Sequence, residues 1–135
     1  MEIVKQLSVL AANRPGTLAN ICGMLRDEKI NIRGITVADH VDHAVVRMVV
    51  DEAVRAVHLL GEAGLVVLEG EVIRIDLAFG PGSLEYVAEA LGQGGLNIAY
   101  VYATEPPQAN ALSSMYVMTD NNALALGVLQ KRFSN

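Results

Sequence analysis

Two short stretches of this chain carry residue types suited to holding a small charged ligand. Asn13-Arg14-Pro15-Gly16-Thr17 runs into Leu18, and Phe79-Gly80-Pro81-Gly82-Ser83 runs into Leu84, each where an apolar periodicity begins. A helix starting there presents unpaired backbone N–H groups and partial positive charge, which attract a carboxylate or phosphate. Proline sets the entry conformation, and glycine lets a ligand approach the backbone closely. Asn31-Ile32 and Asn97-Ile98 follow the two helical segments, and each Asn offers a donor and an acceptor in one planar amide. Together these groups match an amino acid, which carries one carboxylate and one ammonium at fixed separation. Turn chemistry alone accounts for a single Pro-Gly pair, and an Asn can bond its local backbone. The occurrence of both features twice favours a ligand.

The other candidates are weaker. Asp39, His40, Asp42 and His43 crowd one segment in a way that suits a metal. They fall in an expected turn where solvated polar side chains are ordinary, and the corresponding segment near Thr104 has no histidine, so no metal is expected. Cys22 lies on an apolar helical stripe without a nearby His and reads as core. Residues 80–85, GPGSLE, end in Glu85 where a dinucleotide fingerprint needs glycine, and no phosphate-loop G-K-[ST] occurs. No Ser/His/Asp or Cys/His arrangement and no paired carboxylates share a loop, so neither catalytic residues nor a cofactor are expected.

The elements that position these groups come from a duplication. Pro15/Pro81, Gly16/Gly82, Leu18/Leu84, Leu25/Leu91, Asn31/Asn97 and Ile32/Ile98 each stand 66 residues apart, six identities in twenty ungapped positions. Further on the offset becomes 69, pairing Asp51 with Asp120 and Leu60 with Leu129, the extra residues falling in a Pro-containing turn. Residues 3–11 and 71–78 alternate as strands. Leu18, Ile21, Cys22, Leu25 and Leu84, Val87, Ala88, Leu91 have helical spacing, with Gly94-Gly95 ending the second helix. Second strands start at Asn31 and Asn97, third strands at Ala44 and Leu112, and Asp51 and Asp120 are expected N-caps of further helices. Residues 65–70 supply a fourth strand in the first copy only. This predicts an α+β, ferredoxin-like βαββαβ unit in tandem, residues 1–70 complete and residues 71–135 lacking the last strand. The gap leaves the strand at 71–78 with an unpaired edge, which a second copy of the chain is expected to cover.

The chain has 135 residues, 52% apolar and 19% charged, enough for one domain or two small ones with an ample core. A mean hydropathy of +0.34 points to an outer apolar face covered by a partner, so a homodimer is expected. The net charge of −5 and the lack of Trp argue against nucleic acid and anionic membranes. No run of ~20 apolar residues suits a membrane span, the N-terminal residues alternate rather than resembling a signal peptide, and one cysteine fits a reducing cytoplasm.

Residues 13–32, NRPGTLANICGMLRDEKINI, resemble the opening of an ACT domain, and residues 79–98 resemble another. The resemblance covers essentially the whole chain. It implies two ACT domains side by side in one continuous antiparallel sheet with helices on one face. It also implies a non-catalytic regulatory protein that binds a free amino acid or similar small metabolite at an interface between ACT domains. Asn13, Arg14, Pro15, Gly16, Thr17 and Leu18 would then face Asn97-Ile98. Phe79, Gly80, Pro81, Gly82, Ser83 and Leu84 would face Asn31-Ile32. The second loop lacks the Asn-Arg pair, so unequal affinities are expected. The alternatives are a constitutive regulatory or interaction subunit of an amino-acid biosynthetic enzyme, with vestigial pockets, and, more remotely, an acylphosphatase-like hydrolase using Arg14 and Asn31; an amino-acid-metabolism enzyme is the expected partner besides a second copy.

Overall fold

The computed structural model describes residues 1–78, 80–104, 108 and 111–134. Its elements in chain order are β1 (Glu2–Ala12), α1 (Thr17–Asp27), β2 (Ile32–Asp39), β3 (His43–Val50), α2 (Ala53–Glu62), β4 (Val66–Ala78), α3 (Ser83–Gln93), β5 (Ile98–Ala103), β6 (Leu112–Thr119) and α4 (Asn122–Phe133). The fold is α+β, with six strands hydrogen-bonded in the order β2-β3-β1-β4-β6-β5. The chain divides into two compact units, Lys5–Gly70 and Met1–Val4 with Glu71–Asn135. Strands β1 and β4 are each split between the two.

In the unit Lys5–Gly70, β3 pairs antiparallel with β1 (Leu7 opposite Met48, Val9 opposite Val46) and with β2 (Ile35 opposite Met48, Val37 opposite Val46). Alternation sends Leu7, Val9 and Ala11 of β1 and Val46, Met48 and Val50 of β3 to one face. There Ile21 and Leu25 of α1 and Ala56 and Leu60 of α2 cover them, and all ten are buried. Ile35 and Val37 on the outermost strand escape full cover and remain 38% and 46% exposed.

In the other unit, β6 pairs antiparallel with β4 (Ile73 opposite Val117, Ile75 opposite Met115) and with β5. Ile73, Ile75, Met115 and Val117 pack under Val87 and Leu91 of α3 and Ala125 and Leu129 of α4. Ile3 packs against this core as well. The expected bare edge at residues 71–78 is therefore corrected. Strand β4 lies between β1 and β6, and the beginning of β1 completes this unit. The strands read separately from the sequence at 65–70 and 71–78 are one strand, Val66–Ala78, running through Gly70. On β4, Asp76 accepts from Ser114 Oγ at 2.5 Å and Arg74 Nε at 3.1 Å. These bonds, the serine's foremost, hold its carboxyl below the ordinary carboxylate range against a modest opposing effect of desolvation.

The expected helix caps are also corrected. Glu52 and Asn121 occupy the N-cap positions of α2 and α4, and Asn121 accepts from the Leu124 N–H at 3.1 Å. Asp51 and Asp120 turn instead toward the starts of β2 and β5. Among the described residues no helix is long and apolar enough to cross a membrane.

Candidate functional site

Each Pro-Gly pair forms a type II turn. The Thr17 N–H reaches the Arg14 carbonyl at 3.4 Å and the Ser83 N–H reaches the Gly80 carbonyl at 3.1 Å. Proline takes the first central position, and Gly16 and Gly82 take the second at φ 90 and φ 89, a left-handed conformation that favours glycine. Both glycines sit at helix N-caps without a side-chain cap. A Cβ built on either would meet no atom within 4 Å, so the backbone there faces open space. The N–H groups of Leu18 and Ala19 have no partner among the described residues, as the start of an uncapped helix requires.

The two loops then diverge. The first turn of α1 contains no acidic side chain, whereas that of α3 contains Glu85, whose charge competes with an incoming anion. Ser83 Oγ is occupied within its own loop, accepting from the Gly80 N–H at 2.9 Å. Arg14 is exposed and its guanidinium has no partner among the described residues. Asn13 is less available: its amide donates to the Asp39 carboxylate and to the His40 carbonyl at 2.9 Å. Asn13 thus ties the loop to the β2–β3 turn, where the His40 and His43 rings stack 4.9 Å apart. Among the described residues no three His, Cys, Asp or Glu side chains converge in a way that could hold a metal. Phe79 lies outside the described residues.

Asn31 and Asn97 occupy matching clamps. The Asn31 N–H donates to Asp51 Oδ1 at 3.0 Å while the Asp51 N–H donates to the Asn31 carbonyl at 3.1 Å. Asn97 and Asp120 repeat both bonds at 3.2 Å. The backbone of each Asn is fixed in this way, and both residues are exposed. The sequence pairing of Asp51 with Asp120 thereby acquires its physical reason, which is to hold the strand-start Asn.

Within one repeat these groups do not meet. Residues 13–18 lie at the start of α1 and Asn31-Ile32 beyond its end, and eleven helical residues span about 16 Å. The same holds for residues 80–84 and Asn97-Ile98 across α3. A ligand touching both a Pro-Gly turn and a strand-start Asn needs them from different ACT-like units.

Beside Asn31 is a solvent-open depression of about 430 Å³ between the last turn of α1 and the start of β2. Arg26, Lys29, Asn31 and Cys22 line it over a floor that includes Leu25 and Ile30. The sequence reading passed over Arg26 and Lys29. The available signal was the repeat itself, which has Gly92 and Gly95 at the equivalent positions.

The model of the ACT domain pair family matches residues 1–130. The chain belongs to the ACT domain pair family. This ACT pair is similar in structure to protein BT0572 from Bacteroides thetaiotaomicron, with TM-score 0.88 and 25% identity over 97% of this chain and 89% of that one. It is also similar to the regulatory subunit of aspartate kinase from Thermus thermophilus in a ligand-free form, with TM-score 0.69 and 14% identity over 98% of each chain. The corresponding regulatory subunit from Thermus flavus gives TM-score 0.63 and 16% identity over 98% and 97%. At such identities the two kinase subunits establish the fold alone. No curated protein sequence matches the chain significantly.

Proposed function

We propose that this ACT pair is a non-catalytic regulatory protein that binds a free amino acid or similar small metabolite. The observation that carries the reading is the start of α1, where N–H groups without partners follow a left-handed Gly16 that borders open space, and the helix's first turn holds no acidic side chain. In this reading the Leu18 and Ala19 N–H groups take the ligand carboxylate, and Arg14 and Thr17 flank it. Pro15 and Gly16 shape the turn, and Asn97-Ile98 of another ACT domain closes over the polar head. The second loop, with Gly80, Pro81, Gly82, Ser83 and Leu84, faces Asn31-Ile32 in the same manner and binds more weakly.

A homodimer supplies the missing half of each site. Strands β2 and β5 end the hydrogen-bonded order, and each begins one residue after Asn31 or Asn97. Pairing of β2 from one copy with β5 from another would satisfy open edges and cover Ile35 and Val37. The lone Cys22 suits work in the reducing cytoplasm.

Thermal denaturation in the presence of each of the twenty amino acids tests the reading. A ligand at a hundred times its Kd raises stability by about 2.7 kcal/mol, and Gly16→Val cuts that rise to what the weaker second loop supplies. Lack of stabilisation by all twenty refutes it. The exposed Ile35 and Val37 also suit a second role, permanent docking on an amino-acid-metabolism enzyme. Stoichiometric co-purification of such an enzyme regardless of amino-acid supply would favour that role.

A further inference from the structure

We propose that the depression beside Asn31 receives the side-chain carboxylate of an acidic amino acid, aspartate or glutamate. The inference rests on the amino-acid reading above and names the class of ligand.

The backbone at Lys29 carries the argument. Helices α1, α2 and α3 end in the same pattern of two hydrogen bonds. The Lys29 N–H reaches the Arg26 carbonyl at 2.9 Å and the Ile30 N–H reaches Leu25 at 2.9 Å; Gly64 and Leu65 bond Gly61 and Leu60 at 3.0 and 3.1 Å; Gly95 and Leu96 bond Gly92 and Leu91 at 3.1 and 2.9 Å. The residue in the left-handed conformation is Gly64 at φ 87, Gly95 at φ 77 and Lys29 at φ 58. Among the described residues Lys29 is the one non-glycine with positive φ. Glycine closes the same turn without strain in the other two helices. A lysine at the rim of a cavity, held against the preference of its own backbone, points to a use for its charge.

The surroundings leave that charge available. The Lys29 ammonium has no partner among the described residues. Glu28, the adjacent acid, is drawn to Arg55 at 3.2 Å. Asp51 Oδ1 is taken by the Asn31 N–H at 3.0 Å. Arg26 pairs with Asp27 at 3.0 Å, but both side chains are largely exposed, at 78% and 69%. Such a pair exchanges readily for a better-placed anion. Asn31 adds a neutral amide, and Leu25 and Ile30 form an apolar floor suited to methylene groups. In the other repeat Gly92 and Gly95 replace both cations while Leu91, Leu96, Asn97 and Ile98 keep the frame. The charge is therefore a property of this pocket, set in a chain of net charge −5.

Isothermal titration of the full chain with L-aspartate, L-glutamate, L-asparagine, L-glutamine and inorganic phosphate tests the assignment. The expected result is that one acidic amino acid binds at least tenfold tighter than its amide and than phosphate. Lys29→Gly should weaken it roughly tenfold, the scale of one hydrogen bond to a charged group, while leaving the amide unaffected; Arg26→Gln added to Lys29→Gly should weaken it further. Equal affinity for acid and amide, or an unchanged acid affinity in the double variant, overturns the inference while leaving amino-acid binding standing. Phosphate binding as tightly as the acid also overturns it. Binding by none of the twenty amino acids ends both readings.

Discussion

Replacing Lys29 by glycine should make this protein more stable. Lys29 sits at φ 58, where an L side chain crowds the following carbonyl at a cost of roughly 1–2 kcal/mol. Glycine removes that cost but gains freedom in the unfolded chain, which returns roughly 0.4–1 kcal/mol. The Lys29 side chain has no partner among the described residues, and its backbone bond to the Arg26 carbonyl survives the change to glycine, so little else is lost. The net gain is about 0.5–1 kcal/mol, or on the order of 2–4 °C in Tm for a chain of this size. Urea denaturation followed by far-ultraviolet circular dichroism reads it directly, as a higher midpoint with an unchanged slope. Gly95→Lys, the reverse change at φ 77, should lower the midpoint by a similar amount. A midpoint for Lys29→Gly that falls or stays where it was would refute the idea that this lysine is held under backbone strain.

Other expectations follow from the same geometry. Asp51→Ala removes the acceptor for the Asn31 N–H and should cost about 1 kcal/mol in urea denaturation. Asp120→Ala should show a matching loss because its bond is the same. Gly16→Ala places a Cβ at φ 90 and should cost roughly 1 kcal/mol or more, together with the first loop's share of any amino-acid-induced rise in Tm. Asp76 has a folded pKa below its unfolded value of about 3.8, so its contribution is present above the unfolded pKa and fades as pH falls through the folded one. The stability difference between the protein and Asp76→Asn, measured by denaturation between pH 7 and pH 2, should therefore shrink only at the acid end. Removal of residues 1–4 strips β4 of its neighbour in the unit Glu71–Asn135 and should produce larger species by size-exclusion chromatography.

Much of the fold was legible because the duplication doubled each weak signal. A lone Pro-Gly pair reads as a turn, but Pro15-Gly16 and Pro81-Gly82 at one spacing mark two equivalent helix starts, which the type II turns bear out. Ile21 and Leu25, with Val87 and Leu91, declared the buried stripes that the cores use. Local patterns failed where the partner was remote in sequence. Asp51 looked like a helix cap because its partner, the Asn31 N–H, lies 20 residues away. The neighbour of residues 71–78 was missed because it lies at the other end of the numbering. The repeat put a boundary after Gly70 between two strands, yet β4 runs through it. At the candidate site the Pro-Gly and Asn positions stood out by type. Lys29 did not, since its dihedral has no signature in residue type and only comparison with Gly95 betrays it.

Strands β1 and β4 each contribute residues to both hydrophobic cores. On β1, Ile3 packs against one core and Leu7, Val9 and Ala11 against the other; on β4, Val67 packs against one and Ile73 and Ile75 against the other. All of these positions are odd-numbered, so slippage of either strand by one residue would evict apolar groups from both interiors at once. The alignment of each long strand is locked twice over, and an insertion in the middle of β1 or β4 should be tolerated far less than one of equal length in a surface turn.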